Sequence, residues 1–386
     1  MDSRARERLA RQLMDEFAAA TGLTELAPPR RYLWTDAFAV CNFLGLHRAS
    51  GDGRDLDRAS RLVSQVHHVL GRHRQDDPRK GWISGLAEEE GERHPTRGGL
   101  RIGKELPERN ADEPFDARLE WDRDGQYFHY LTQWMHALYR VGQAMDQPMF
   151  HRWAIELAES AHAHFTRSDS SRGPQRMVWK MSIDLSRPLV PSMGQHDPLD
   201  ALLAYLELQT GVISAVTSAG DRNPAVLERE IAEARALCAH AEWATDDPLG
   251  IGALLTGVFR LADMITRHGI IENRILLKLV AATAISLEAY TSAHSLNAPA
   301  QSRLAFRELG LTIGLRALER TNVSSALGHS ARESIRSFAR YLPLADCIEN
   351  FWSEPVQHES DSWRAHQDIN AVMLATSLMP GGYLGS

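Results

Sequence analysis

Cysteine is scarce in this chain: three in 386 residues, Cys41, Cys238 and Cys347, far apart and each within an apolar stretch. That spacing excludes a disulfide framework and fits reduced, buried thiols. There is no Cys-x-x-Cys and no Cys–His pair, so a structural zinc site is not expected, and neither is a cofactor. Long apolar runs are lacking as well. None in the sequence approaches the ~20 residues that cross a bilayer. The start, Met1-Asp2-Ser3-Arg4-Ala5-Arg6-Glu7-Arg8, leads into an amphipathic helix rather than a signal-peptide core. The expectations are a cytoplasmic protein without a membrane partner, its Asn322-Val323-Ser324 sequon unused. Basic residues are in deficit, 43 against 50 acidic for a net charge of −7. With no basic stripe, a nucleic-acid partner is not expected.

What the chain does have is repetition. Six times a polar, aromatic-tinged cluster is followed by a long apolar helix, the clusters beginning near Trp34, Trp121, His196, Asp246, Ser302 and Trp363. Two clusters repeat almost literally, His196-Asp197-Pro198-Leu199-Asp200 and Asp246-Asp247-Pro248-Leu249-Gly250. Each sets an Asp where an N-cap belongs and a Pro where the first helical residue belongs. The spacing predicts helices over 2–21, 33–50, 54–74, 126–146, 148–166, 198–216, 224–243, 248–267, 271–291, 299–320, 326–350 and 362–378. Turn signals such as Asp146-Gln147-Pro148 and Asp221-Arg222-Asn223-Pro224 separate them. Even members, such as Ala201-Leu202-Leu203-Ala204-Tyr205-Leu206, are apolar all round; odd members carry a charged stripe, as at Glu228, Arg229, Glu230 and Glu233. The first kind must be surrounded by protein and the second can face water. Six inner and six outer helices describe a closed ring of six hairpins, expected as one all-α domain over 1–386. Polar starts of the inner helices would then gather at the mouth of one funnel.

Two stretches interrupt the pattern. Residues 75–125, rich in charge, Gly and Pro, read as an ordered lid-like loop. Residues 172–195 hold the alternating Met177-Val178-Trp179-Lys180-Met181-Ser182-Ile183-Asp184-Leu185, which predicts a short strand or hairpin.

The arrangement resembles the (α/α)6 toroids of the six-hairpin glycosidase superfamily, including N-acylglucosamine 2-epimerase relatives and unsaturated glucuronyl hydrolases. Locally the likeness is carried by Trp34-Thr35-Asp36-Ala37-Phe38, with Gly51-Asp52 closing the hairpin. It implies a carbohydrate substrate. It also implies that Asp36 protonates a sugar double bond and then activates water.

The clusters supply candidate chemistry. Asp36 reads either as an acid/base or as a first-turn carboxylate favoured by the helix dipole. In Glu120-Trp121-Asp122-Arg123-Asp124-Gly125-Gln126-Tyr127-Phe128-His129, Asp124 is placed to cap the helix and Asp122 to remain a free carboxylate beside Arg123. Carboxylates close together push one pKa up, which suits an acid near neutral pH. Capping accounts for Asp197 but not for His196 or Asp200, which the parallel cluster replaces by Asp246 and Gly250. His366 opens the last inner helix, and Arg303 and Arg307 either bind a ligand's carboxylate or phosphate or pair with acids such as Glu308.

The catalytic candidates are therefore Asp36, Asp122, Asp200, His196 and His366. The substrate-binding candidates are Trp34, Trp121, Asp124, Tyr127, His129, Arg303 and Trp363, the indoles by stacking on sugar rings or else as core. Three functions remain open: a glycoside hydrolase using two carboxylates, a sugar epimerase or isomerase using His196 and His366, and a non-catalytic sugar-binding toroid. Other patterns fail. His162 and His164, two apart, lie on different helix faces and cannot share a metal, and Gly250-Ile251-Gly252 lacks the third glycine of a dinucleotide turn.

Overall fold

The computed structural model describes residues 1–24, 27–167, 176–190, 192–219, 226–293 and 296–385, with side chains described outside 212–219. The Asp221–Pro224 turn signal and residues 172–175 lie outside the described residues. The long helices are α1 (Ser3–Ala20), α2 (Leu33–Ser50), α3 (Gly53–Leu70), α4 (Phe128–Met145), α5 (Pro148–Phe165), α6 (Asp197–Ala219) and α7 (Glu228–His240). They continue with α8 (Pro248–His268), α9 (Asn273–Ala293), α10 (Ala305–Arg320), α11 (His329–Ser337), α12 (Leu342–Ser353) and α13 (Gln367–Leu378). The expected helices are present, with three main changes of outline, one being that the span expected over 362–378 breaks at His366 into a short turn, Asp361–Arg364, and α13. The span expected over 326–350 is two helices, α11 and α12, joined by a 3-10 turn at Phe338–Tyr341. Pro343 in the first turn of α12 has no N–H to continue a helix through that point. The helix expected from 299 begins at Ala305, because Arg303 is in extended backbone after a 3-10 turn.

By contacts the chain forms two compact units, Ala18–Cys41 with Gly53–His240, and Met1–Phe17 with Asn42–Asp52 and Ala241–Ser386. In the Gly53–His240 unit, α4 packs on α5 and α6 on α7 as hairpins, and α4 also lies along α6. Leu131 to Tyr139 on α4 are all buried, the polar Thr132, Gln133 and His136 among them, so this helix is surrounded by protein on every side. Inside, the Trp134 indole N–H donates to His67 Nε2 at 3.2 Å, and burial pushes His67 down to about 3.

The two interruptions are built onto this unit. Gln126–Tyr127 (β1) pairs antiparallel with Lys180–Met181 (β4), which pairs with Pro188–Val190 (β5). Thr166–Arg167 (β2) pairs with Arg176–Met177 (β3). The alternation around Val178 thus becomes the hairpin it predicts. The 75–125 loop is ordered and pinned at several points. Arg101 donates to the carbonyls of Val69 and Arg72 at 2.6 and 2.8 Å. Trp82 is buried flat against Gly91, where a Cβ would sit 2.2 Å from the indole.

In the Ala241–Ser386 unit, α8 packs most extensively on α10, and α10 also contacts α12 and α13. The reason is backbone contact at glycine. A Cβ on Gly252 would lie 2.0 Å from the Gly310 carbonyl oxygen, and one on Gly314 would lie 2.6 Å from that of Gly252. The Gly250-Ile251-Gly252 stretch therefore serves helix packing. Arg316 of α10 is tied to α12 by bonds to Glu349 and Asp346 at 2.7 and 2.6 Å. One expectation needs correcting here: α8 and α9 are long and apolar enough to cross a membrane by length and composition, with mean hydropathies of 1.4 and 1.3. Scattered polar residues broke the apolar runs in the linear reading without lowering the average. The α8 window is 67% buried and the α9 window 50%, so packing within the protein accounts for much of their apolarity.

Candidate functional site

The start of α6 is the most unusual place in the Gly53–His240 unit. Asp197 is buried and does not act as the expected cap. Its Oδ2 turns back to accept the Gly194 N–H at 3.1 Å, and α6 begins at Asp197 itself. Gly194 is required there, since a Cβ would stand 2.3 Å from that carboxylate oxygen. Burial, and then the neighbouring Asp200 carboxylate, push Asp197 up to about 7. Asp200 lies one turn on and accepts from His129 Nδ1 of α4 at 2.8 Å. Burial opposes charge on His129, but the Asp200 carboxylate and its hydrogen bond outweigh this, and the imidazole pKa is raised. His129 remains the open member, with its side chain 33% exposed against 12% for Asp200. A carboxyl that keeps its proton near neutral pH therefore stands beside a carboxylate held by an imidazole.

His196 places its carbonyl on the Asp200 N–H at 2.9 Å and is half-buried. One rung deeper, His136 pairs with Glu207 at 2.8 Å. Both partners lie seven residues beyond His129 and Asp200, so the two rungs are two helical turns apart on the facing helices α4 and α6. His162 and Glu233 form a similar pair at 2.9 Å, which leaves the His162-Ala163-His164 stretch no role as a chelate.

Next to His129 begins a continuous run of aromatic rings, in which Tyr127, expected to bind substrate, is buried. The His129 ring lies 6.2 Å from Tyr130. Tyr130 meets Tyr127 edge-on at 5.0 Å, and Tyr127 stacks on Trp179 at 5.0 Å. Trp179 in turn lies 5.6 Å from Trp121. The rings are set by β1 and β4, whose pairing aligns Tyr127 with Lys180, and Trp179 donates to Ser192 Oγ at 2.9 Å on the segment leading to Gly194. Trp121 alone among these indoles offers an open face, being 56% exposed. Two lysines border the platform. Lys180 is buried and spent on Glu120, with Nζ 2.9 Å from Oε1. Lys104 lies with Nζ 5.3 Å from the Trp121 ring centre.

Other candidates have structural duties. Asp36 is buried, accepting the Tyr32 N–H at 2.9 Å and lying 3.4 Å from Arg31 Nη1. Asp124 caps no helix. It is a buried hub that accepts from Arg101 at 2.5 Å and from the Gly103 and Gly125 N–H groups at 3.0 Å. That leaves Asp122 exposed at the end of a short helix, as expected of the freer carboxylate. Trp34 is buried against Phe38, ring centres 4.8 Å apart. In the other unit, Trp363 is covered by His358 at 3.8 Å and by Trp352 at 5.8 Å, so neither Trp34 nor Trp363 presents a free face. Arg303 takes the pairing alternative, donating to Glu308 at 2.6 Å. Arg307 pairs with Asp247 at 2.8 Å. His366 packs edge-on to Phe306 at 5.4 Å, its pKa lowered by burial and by Arg307.

A charged cleft of about 410 Å³ between the 75–125 loop and residues 182–187 is internally satisfied. Its Arg79 reaches Asp77, Glu108 and Asp184 at 2.7, 2.8 and 2.9 Å. Among the described residues no group of three or more His, Cys, Asp or Glu is placed to hold a metal.

The fold is an all-α (α/α)6 toroid. A solved structure of this kind, an inactive variant of an α-1,6-mannanase from Salegentibacter sp. HEL1_6 in complex with α-1,6-mannotriose, matches over 97% of this chain and 99% of its own at TM-score 0.54, with 10% identity. Two more distant matches are the cellobiose 2-epimerase of Bacillus thermoamylovorans B4167 and a D-mannose isomerase. Each covers 81% of this chain and 76% of its own at TM-score 0.45, with 11% and 10% identity respectively. No protein-family model matches the sequence, and no curated protein matches it. At such identity the likeness concerns the fold, and chemistry has to be read from the residues.

Proposed function

We propose that the chain is a glycoside hydrolase whose reacting groups are Asp197 and Asp200. The observation that carries this reading is the pair itself: a buried carboxyl raised to about 7 beside a carboxylate bonded to His129. Divergent environments of two neighbouring carboxyls are how one site supplies an acid and a base at neutral pH. Asp197 donates its proton to the departing glycosidic oxygen as the bond from the anomeric carbon breaks. Asp200 provides negative charge opposite the oxocarbenium-like centre and takes a proton from the attacking water. His129 fixes the Asp200 carboxylate by its hydrogen bond. At the end of the aromatic run, exposed Trp121 gives a sugar ring a face on which to stack.

Release of reducing sugar is the test, with α-1,6-manno-oligosaccharides as the first substrates because the mannanase sharing this fold was solved with mannotriose. Turnover by the wild type, cut at least ~100-fold in both D197N and D200N, supports the reading. Recovery of uncleaved sugar carrying deuterium after reaction in heavy water replaces it with an epimerase or isomerase. Binding without either reaction across neutral and acidic oligosaccharides leaves a sugar-binding toroid.

A further inference from the structure

Lys104 is the cation bordering the aromatic platform that makes no ion pair among the described residues. Lys180 is matched by Glu120, Arg123 by Glu113 at 2.7 Å, and Asp124 by Arg101 and Arg74. Lys104 is half-buried, and no carboxylate among the described residues lies within ion-pair distance of it. Its only hydrogen bond there is to the Trp121 carbonyl. An ammonium that has lost part of its hydration and gained one acceptor retains two N–H donors. They sit at the edge of the open Trp121 face, with Nζ also 5.8 Å from the Tyr127 ring centre. Burial and then the nearby Lys180 charge lower the Lys104 pKa, against the opposing pull of Asp122 and Asp124. Asp122, exposed on the same rim, is the opposing charge that limits a preference for anions.

We propose that the Trp121–Lys104 rim is a subsite for an anionic sugar, the ring stacking on Trp121 and its carboxylate or phosphate accepting from Lys104. This rests on the saccharide reading of the same surface. It is tested by binding, so a failure of the Asp197–Asp200 chemistry and a failure of this subsite are separable.

The probes are a glucuronate-capped trisaccharide, a mannose-6-phosphate-capped trisaccharide and neutral mannotriose, titrated against the full chain carrying D200N to hold off turnover. Tryptophan fluorescence reports occupancy. At low salt an anionic probe binds at least ~10-fold tighter than the neutral one, as a charge-assisted hydrogen bond requires, and added salt narrows the gap. K104Q removes the preference while leaving mannotriose within about twofold, and W121A weakens all three. D122N, which leaves Lys104 in place, tightens the anionic probes and so serves if K104Q does not fold. Preference for the glucuronate or the phosphate probe alone supports the subsite and identifies its anion. Equal affinity for charged and neutral probes, or a K104Q chain that keeps the preference, overturns it.

Discussion

Two nearly identical pentads open helices in this molecule, and they do different work. At Asp247-Pro248 the sequence rule holds: Asp247 is an N-cap that accepts the Leu249 N–H at 3.3 Å, with Pro248 in the first turn. Its remaining negative charge faces Arg307 at 2.8 Å on the molecular surface. At Asp197-Pro198 the same two residue types leave the cap unmade. The carboxyl is folded back onto Gly194 and buried beside Asp200, where ionisation is costly. Gly194, which no part of the motif specifies, makes that possible. A local helix-start signal thus settles where the helix begins but not what its carboxylate does.

The largest effect expected from breaking this contrast is catalytic. D197N and D200N lower turnover at least ~100-fold, whereas D247N leaves turnover within about twofold, as initial rates on one oligosaccharide series will show.

Next come stability effects. G252A places a methyl against the Gly310 carbonyl and lowers stability by about 1–3 kcal/mol by overpacking, read from urea midpoints. D247A removes a cap and costs about 1 kcal/mol, seen as a drop in Tm of a few degrees.

Asp197 behaves in the opposite sense. Its carboxyl is raised to about 7 in the folded protein but titrates near 3.9 when unfolded. The folded state therefore binds the extra proton between those values, and stability falls as pH rises through them. D197N removes that penalty, so its Tm exceeds that of the wild type at pH 8 and converges with it at pH 4. An unchanged difference across the range would mean that Asp197 is ionised in the native state.

The smallest expected effect is a shift of profile. His129 holds the Asp197 pKa down, so H129N moves the alkaline limb of the activity profile upward while activity is retained in part. An unmoved limb would dissociate His129 from the acid.

Much of the framework was legible because it depends on period and punctuation. The apolar run from Ala201 to Leu206, the Asp-Pro starts and the alternation around Val178 each specify local structure through spacing alone. The site was legible only in part. The sequence points to Asp200 and His129, but its helix-start rule claims Asp197 and Asp124 as caps. The true partners of Asp124, Arg101 and Arg74, lie on a loop whose course no periodicity announces. Asp36 and Arg303 turned out to be neighbours' counter-ions. Lys104 carried no signal in the sequence at all, since a cation without an ion pair is visible only when every nearby charge has been placed.

By itself the sequence determined the helical succession, the hairpins and the two interruptions, because these follow from hydrophobic period, proline and capping chemistry acting over a few residues. Only the tertiary structure decided which carboxyl is buried and protonated and which is paired. Burial and pairing are properties of groups brought together across some seventy residues, as Asp200 is to His129, and the energy of a charge depends on what surrounds it.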